Sequence, residues 1–268
     1  MAEKEENRLQ DMGSATCQID ARSAGEVAMI TMLHPGKMNA MGSAMLADLM
    51  QIFADLENRE NLRVVVLTGA GDKTFVGGAF VPELHALNSE TGKAFITRLH
   101  LMHKAVRDCP VPVIARLRGY CIGAGTELAT SCDFRVADKS VIFGMPEVKV
   151  GMPSVIEAAL LPMLVGWGKA REMMMTGGNY SAEEGQTMGF LDTVVEAGEL
   201  DDMIETRINQ ILAAGPLAVR AQKSLMRAWE EMTPAEGIAL GIDYMGKAYE
   251  TDEPQRMMAP LLDKEKSK

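Results

Sequence analysis

Glu127 and Glu147 carry the chemistry this chain is equipped for. Glu127 stands in the small, apolar run GAGTELAT, and Glu147 directly follows Met145-Pro146, twenty positions further on. Two carboxylates at one place can divide acid and base work, because close acids titrate as a pair and can share a proton. Each residue also has a plainer reading. Glu127 would be favoured at a helix start by the helix dipole, and Glu147 would be a solvated loop acid. Against the plainer reading of Glu127 stand Ile122, Ala124, Leu128, Ala129 and Cys132. They predict a helix buried on most sides, where a charge costs roughly several kcal/mol unless it is paired or its pKa moves.

The elements that must position the two acids are legible around them. Residues 111–117 (VPVIARL) read as a buried strand, 119–125 as a glycine-punctuated turn and 126–131 as the opening of a helix. Residues 141–144 (VIFG) read as a short strand that Pro146 stops, leaving Glu147 at a strand-to-loop bend.

The string GYCIGAGTELATSCDFRVAD, followed by FGMPEVKVGMPS, resembles the signature region of the crotonase (enoyl-CoA hydratase/isomerase) superfamily. There a G-G-G-x-E-L-A-x-x-C-D run precedes an F-x-x-P-E run, and hydratases that keep both glutamates space them as here. The resemblance covers roughly residues 15 to 250. It implies an α/β fold, a crotonase-like ββα spiral core with a C-terminal helical region, commonly assembled as trimers or dimers of trimers; strand and helix patterning alone supports only α/β. The implied division is a tail over 1–15, a core with the active site over 16–198 and helices over 199–268.

The implied activity is reversible syn addition of water to a 2-enoyl-CoA. Glu127 and Glu147 would hold one water, with Glu147 as proton donor and Glu127 as water activator. The family's F-x-x-G-A-D-x-x-x-L element matches FVGGAFVPEL. By that match the backbone N–H of Ala79 is one oxyanion-hole donor and that of Ala124 the second, with Gly77, Gly78 and Gly123 beside them. Small residues suit both places, since a thioester oxygen must approach the main chain closely. The segment KMNAM resembles the P-x-x-x-N-A-L element beside the CoA moiety, which makes Lys37, Asn39 and Ala40 candidate CoA contacts; Lys37 also reads as a solvated turn lysine. Coenzyme A is part of the substrate, and no separate cofactor or metal is expected.

The chain departs from the pattern at Phe80, where aspartate is common, at Ala124, where the middle glycine stands, and over GMPSVIEAA, which replaces a glycine-rich run. The last bears on pocket shape and hence substrate. Within it, Ser154 and Glu157 read as a capping box, S-x-x-E. His85, His100 and His103 lack ligand spacing and read as surface or groove residues. Lys223 and Lys247 read first as solvated helix lysines, with a CoA contact as the second reading of each.

The 268 residues are 47% hydrophobic but only 5% aromatic, so the core must be built from aliphatic residues and the 22 methionines. A net charge of −10 speaks against a nucleic-acid partner. Cys17, Cys109, Cys121 and Cys132 have no C-x-x-C pairing and read as reduced core residues. No apolar run is long enough to span a membrane, the N-terminus is charged rather than signal-like, and Lys266-Ser267-Lys268 falls short of a peroxisomal address, so a cytoplasmic location is expected. Gly69-x-Gly71 lacks the third glycine and helix of a dinucleotide site. The competing readings are another acyl-CoA reaction (isomerisation, decarboxylation or hydrolysis) and a catalytically silent crotonase-like binding protein, RNA binding included.

Overall fold

The structure, a computed structural model, describes residues 12–266. The expected tail falls largely on residues 1–11, outside the described residues, and the first strand begins at Ser14, just inside the range assigned to it. In chain order the elements are β1 Ser14–Arg22, β2 Gly25–Leu33, α1 Ser43–Glu57, β3 Leu62–Gly69, β4 Thr74–Val76, α2 Val81–His85, α3 Ser89–Asp108, β5 Val113–Leu117, β6 Tyr120–Ile122, α4 Ala124–Ser131, β7 Phe134–Asp138 and β8 Ile142–Gly144. Then follow two 3-10 segments (Glu147–Val150 and Ile156–Leu160), α5 Leu161–Thr176, β9 Asn179–Ser181, α6 Ala182–Thr187, β10 Thr193–Val195, α7 Leu200–Ala213, α8 Pro216–Trp229, α9 Pro234–Ala248 and α10 Glu253–Lys266.

Two sheets share these strands. The larger runs β1-β2-β3-β5-β7-β10 and is parallel from β2 onward; the smaller runs β4-β6-β8-β9, with β4, β6 and β8 parallel. The pairs β3/β4, β5/β6 and β7/β8 each send one strand to each sheet before helical chain returns, which is the spiral of ββα turns. The three-residue β6 falls within the stretch expected to be a turn. Glycines at both its ends hide it from a pattern search, and it exists because β4 and β8 pair with it.

The unbroken apolar run of β3 is explained by burial on both faces. Val65 and Leu67 join the main core with α1, α3 and α4, whereas Val64 and Val66 pack with Val27, Ile114 and Val136 under Leu200, Ile204 and Ile208 of α7. The first C-terminal helix is thus part of the core. Further on, α10 is tied to α8 through the buried Glu253, which accepts hydrogen bonds from Leu217 N (3.1 Å) and Ala218 N (2.8 Å). Among the described residues no helix is long and apolar enough to cross a membrane.

Candidate active site

The parallel strands β4, β6 and β8 end side by side, and the expected site residues lie just beyond their C-terminal ends: Ala79 after β4, Ala124 after β6 and Glu147 after β8. Open α/β sheets bind ligands at this kind of edge. Specific bonds hold the ends in place. Gly144 O accepts from Gly123 N (2.8 Å) and from Thr126 Oγ1 (3.0 Å), while Thr126 Oγ1 also donates to Cys121 O (2.7 Å). The start of α4 is thereby bolted to β6 and β8. It also presses on β4 so closely that a Cβ on Gly125 would stand 2.3 Å from Val76 O.

Gly123 has φ 55° and ψ −120°, a conformation reserved for glycine, and a Cβ there would lie 2.6 Å from Glu147 Oε1. The Glu147 carboxylate therefore sits over the residue preceding the helix. Its other oxygen, Oε2, accepts a hydrogen bond from Ser154 Oγ at 2.7 Å. Glu127 lies one turn into α4, with its N–H on Gly123 O at 3.0 Å and its side chain buried. Burial pushes the Glu127 carboxyl well above the usual carboxylate range, and the charges of Glu147 and then Glu157 add to this; the main-chain amide of Ala158 works against it. Glu147 thus lies over Gly123, next to the first turn of α4, which carries Glu127 and N–H groups that no side chain caps.

Ala79 follows Gly78, where a Cβ would lie 3.4 Å from Ile122 O at the end of β6. Met41 pairs beside it, donating to Gly78 O (2.9 Å) and accepting from Phe80 N (2.9 Å), so the Ala79 N–H is directed to the opposite edge of the segment. Gly77 N binds Met38 O at 2.8 Å in the same seam, which places the exposed Lys37 on the adjoining turn. Asn39 and Ala40, expected as CoA contacts, are buried and work as struts. Asn39 Nδ2 donates to Ala70 O and Thr74 O (both 2.9 Å), its Oδ1 accepts from His34 N (2.9 Å), and Ala40 O lies 2.9 Å from His34 Nδ1. Phe80 turns inward onto the His34 ring, 5.2 Å between centroids.

Three expectations need correction. Ser154 does not cap Glu157: its hydroxyl serves Glu147, and the 3-10 segment starts after Val155 with no side-chain cap. Glu157 is instead buried between His100 Nδ1 (2.8 Å) and His103 Nδ1 (3.0 Å), so His103, fully buried, is no surface residue, although His85 and His100 are exposed. Lys223 is not solvated; its Nζ is buried on Val111 O (2.9 Å) and Asp133 Oδ2 (2.6 Å), which removes it from the candidate CoA contacts. The signal for the histidine cluster was present in the sequence, since residues three apart share a helix face.

A cleft of about 1020 Å³ lies elsewhere, among α3, α8, α9 and α10, with Arg107, Arg220, Lys223, Tyr244 and Lys247 on its walls. None of the residues around Glu127 and Glu147 lines it. Chemistry, not size, marks the site. The cysteines are free; burial raises the Cys121 and Cys132 thiols, and Cys132 reaches about 12.

Comparison with known proteins places the chain in a family. The sequence model of the Enoyl-CoA hydratase/isomerase family matches residues 22–268, and the chain belongs to that family. It is 32% identical over 250 residues to the short-chain-enoyl-CoA hydratase of Clostridium acetobutylicum, covering 90% of this chain and 93% of that protein. It is 31% identical to the (E)-benzylidenesuccinyl-CoA hydratase of Thauera aromatica, over 80% and 84% of the two chains. The crystal structure of a Mycobacterium smegmatis enoyl-CoA hydratase superposes with a TM-score of 0.88 at 29% identity, covering 92% of this chain and 96% of that one. The fold is that of the crotonase superfamily, and the protein is an enzyme most like enoyl-CoA hydratases.

Proposed function

We propose that this enzyme adds water, reversibly and syn, to a 2-enoyl-CoA thioester. The observation that carries the reading is the Glu147 carboxylate lying against Gly123, at the mouth of the helix whose first turn bears Glu127 and the Ala124 N–H. The thioester oxygen accepts hydrogen bonds from the N–H groups of Ala79 and Ala124, with the positive end of α4 behind the second. Each donor is worth about 2.7–4 kcal/mol to the enolate that develops. Lys37, on the turn beside Gly77, contacts the CoA phosphates.

One water sits between the two glutamates. Its oxygen bonds to the β-carbon while one carboxylate takes its proton, and the other, protonated, gives a proton to the α-carbon, so the pair ends as it began with one proton. Burial favours the proton on Glu127 in the free site. The assignment of Glu147 as donor and Glu127 as water activator therefore requires that proton to pass through the shared water when the thioester binds. The chain works as a homotrimer or a dimer of trimers; an exposed apolar stripe of Ile238, Ile242 and Met245 on α9, continued by Tyr249 just past its end, suits a second copy.

The test is the loss of enoyl-thioester absorbance across 2-enoyl-CoAs from short to long and aromatic, the last because the Thauera relative is named for such an acyl group. Glu127→Gln and Glu147→Gln are each expected to lose roughly 10²–10⁴ in turnover while still binding the thioester. A near-normal rate in either variant ends the two-glutamate reading, and silence across the panel with thioester bound points to another reaction of the family.

A further inference from the structure

The run GMPSVIEAA, where the chain leaves the family pattern, places a third carboxylate behind the first two. Glu157 is 4% exposed, and both its oxygens are occupied, one by each histidine. It is therefore no free group for a substrate. The backbone is strained to put it there: Ile156, immediately before it, has φ 43°, a left-handed conformation that costs a β-branched residue roughly 1–3 kcal/mol. The cluster also has a direction. His100 is exposed, Glu157 is buried, and His103 is wholly buried with Nε2 lacking any hydrogen-bond partner, although the main chain of Ala124 lies on that side. A line of titratable groups thus runs from solvent to the packing between α3 and the helix that carries Glu127.

The charge state of the cluster follows from its bonds. Burial raises the Glu157 carboxyl, but the hydrogen bonds that His103 and then His100 donate to it outweigh this and hold it below the usual range. Burial lowers His103, and Glu157 only partly restores it, so His103 is neutral near pH 7. Glu157 is then an anion, and the residue after it, Ala158, puts its main-chain N–H on the Glu127 carboxyl. The titratable groups facing Glu127 are Glu147, from the turn after β8, and Glu157, from the segment before α5; those facing Glu157 are His100 and His103, from α3, and Glu127 itself.

We propose that Glu157, clamped by His100 and His103, is a positioning residue that acts through its charge on the proton held by Glu127. It takes no part in bond making; it keeps the glutamate pair from losing its shared proton at neutral pH. The inference rests on the reading of Glu127 as one of the reacting pair.

Two readouts separate the inference from that reading. The first is the carboxyl ¹³C titration of Glu127 in substrate-free protein, its signal assigned by its absence in Glu127→Gln. Glu157→Gln is expected to move the Glu127 midpoint to lower pH by about one unit, a tenfold loss of proton affinity. His100→Leu, at the solvent end, weakens the hold on the Glu157 anion and moves the midpoint the same way by less, and it serves if the first variant does not fold. The second readout is the pH profile of kcat/KM on whichever enoyl-CoA is turned over, both limbs of which should move to lower pH with the midpoint. A Glu127 midpoint unmoved in both variants overturns the inference, as does a turnover loss uniform across pH. A midpoint that moves in a protein silent on every enoyl-CoA keeps the electrostatic coupling and removes the hydratase reading instead.

Discussion

Glu127 is held where ionising it is unfavourable, and this leaves a mark on stability as well as on chemistry. Its folded-state proton affinity is raised above that of the unfolded chain. Its contribution to stability is therefore present below the ordinary carboxylate value of 4.5 and is lost as pH rises through the folded value. Thermal unfolding of Glu127→Gln should show a Tm gain over the parent that grows from pH 5 to pH 8 and vanishes at pH 4. Equal Tm differences at all these pH values would mean the acid is solvated as an ordinary glutamate. At Gly123 the expectation is opposite in sign. Gly123→Ala forces a Cβ to within 2.6 Å of Glu147 Oε1 and strains the backbone. Turnover should fall by about 10²-fold, as for a roughly 1 Å misplacement, with about 1–3 kcal/mol lost from folding. Turnover assays beside urea unfolding check both.

At the scale of elements, the site depends on strand ends that are held from behind. Asp133 Oδ2 accepts from Val113 N at the start of β5 and from Lys223 Nζ of α8, so one carboxylate joins the central strand to the C-terminal helices. Lys223→Met leaves Asp133 and the Val111 carbonyl without their cation. A loss of about 3 kcal/mol is expected, at the low end for a broken buried pair because Asp133 keeps 21% exposure. The urea midpoint measures it, and a loss below half of that would show that water replaces the ammonium. The same scale separates what the chain pattern could and could not reveal. The hairpin, the long α1 and α3, and the proline-led starts of α8 and α9 follow from alternation, periodicity and capping residues. The three-residue β6 does not, because its only reason to be extended is pairing with β4 and β8.

At the scale of the molecule, α9 and the Tyr249 that caps its end present Ile238, Ile242, Met245 and Tyr249 to solvent at 69%, 69%, 63% and 55% exposure. A stripe of that size is costly on a lone chain and suits an interface. For the proposed homotrimer, replacing Ile238 and Ile242 by glutamate should give a smaller species in sedimentation or light scattering without unfolding the core, since neither side chain packs in it. An unchanged mass would mean that this stripe holds no second copy.

The sequence by itself determined the family, the two acids and the strand-loop-helix frame around them, because these rest on local patterns: glycine where the chain turns tightly, apolar runs where it is buried, acids at fixed spacing. Ala79 and Ala124 were marked through the family resemblance, and the small residue at each place suits a close approach to the main chain. Only the tertiary structure decided what each polar side chain faces. Asn39 and Ala40 brace the loops, Lys223 is buried in an ion pair, Ser154 serves Glu147, and Glu157 meets two histidines more than fifty residues earlier in the chain. The partner of a polar side chain is set by which elements pack together, and nothing in the local sequence records that.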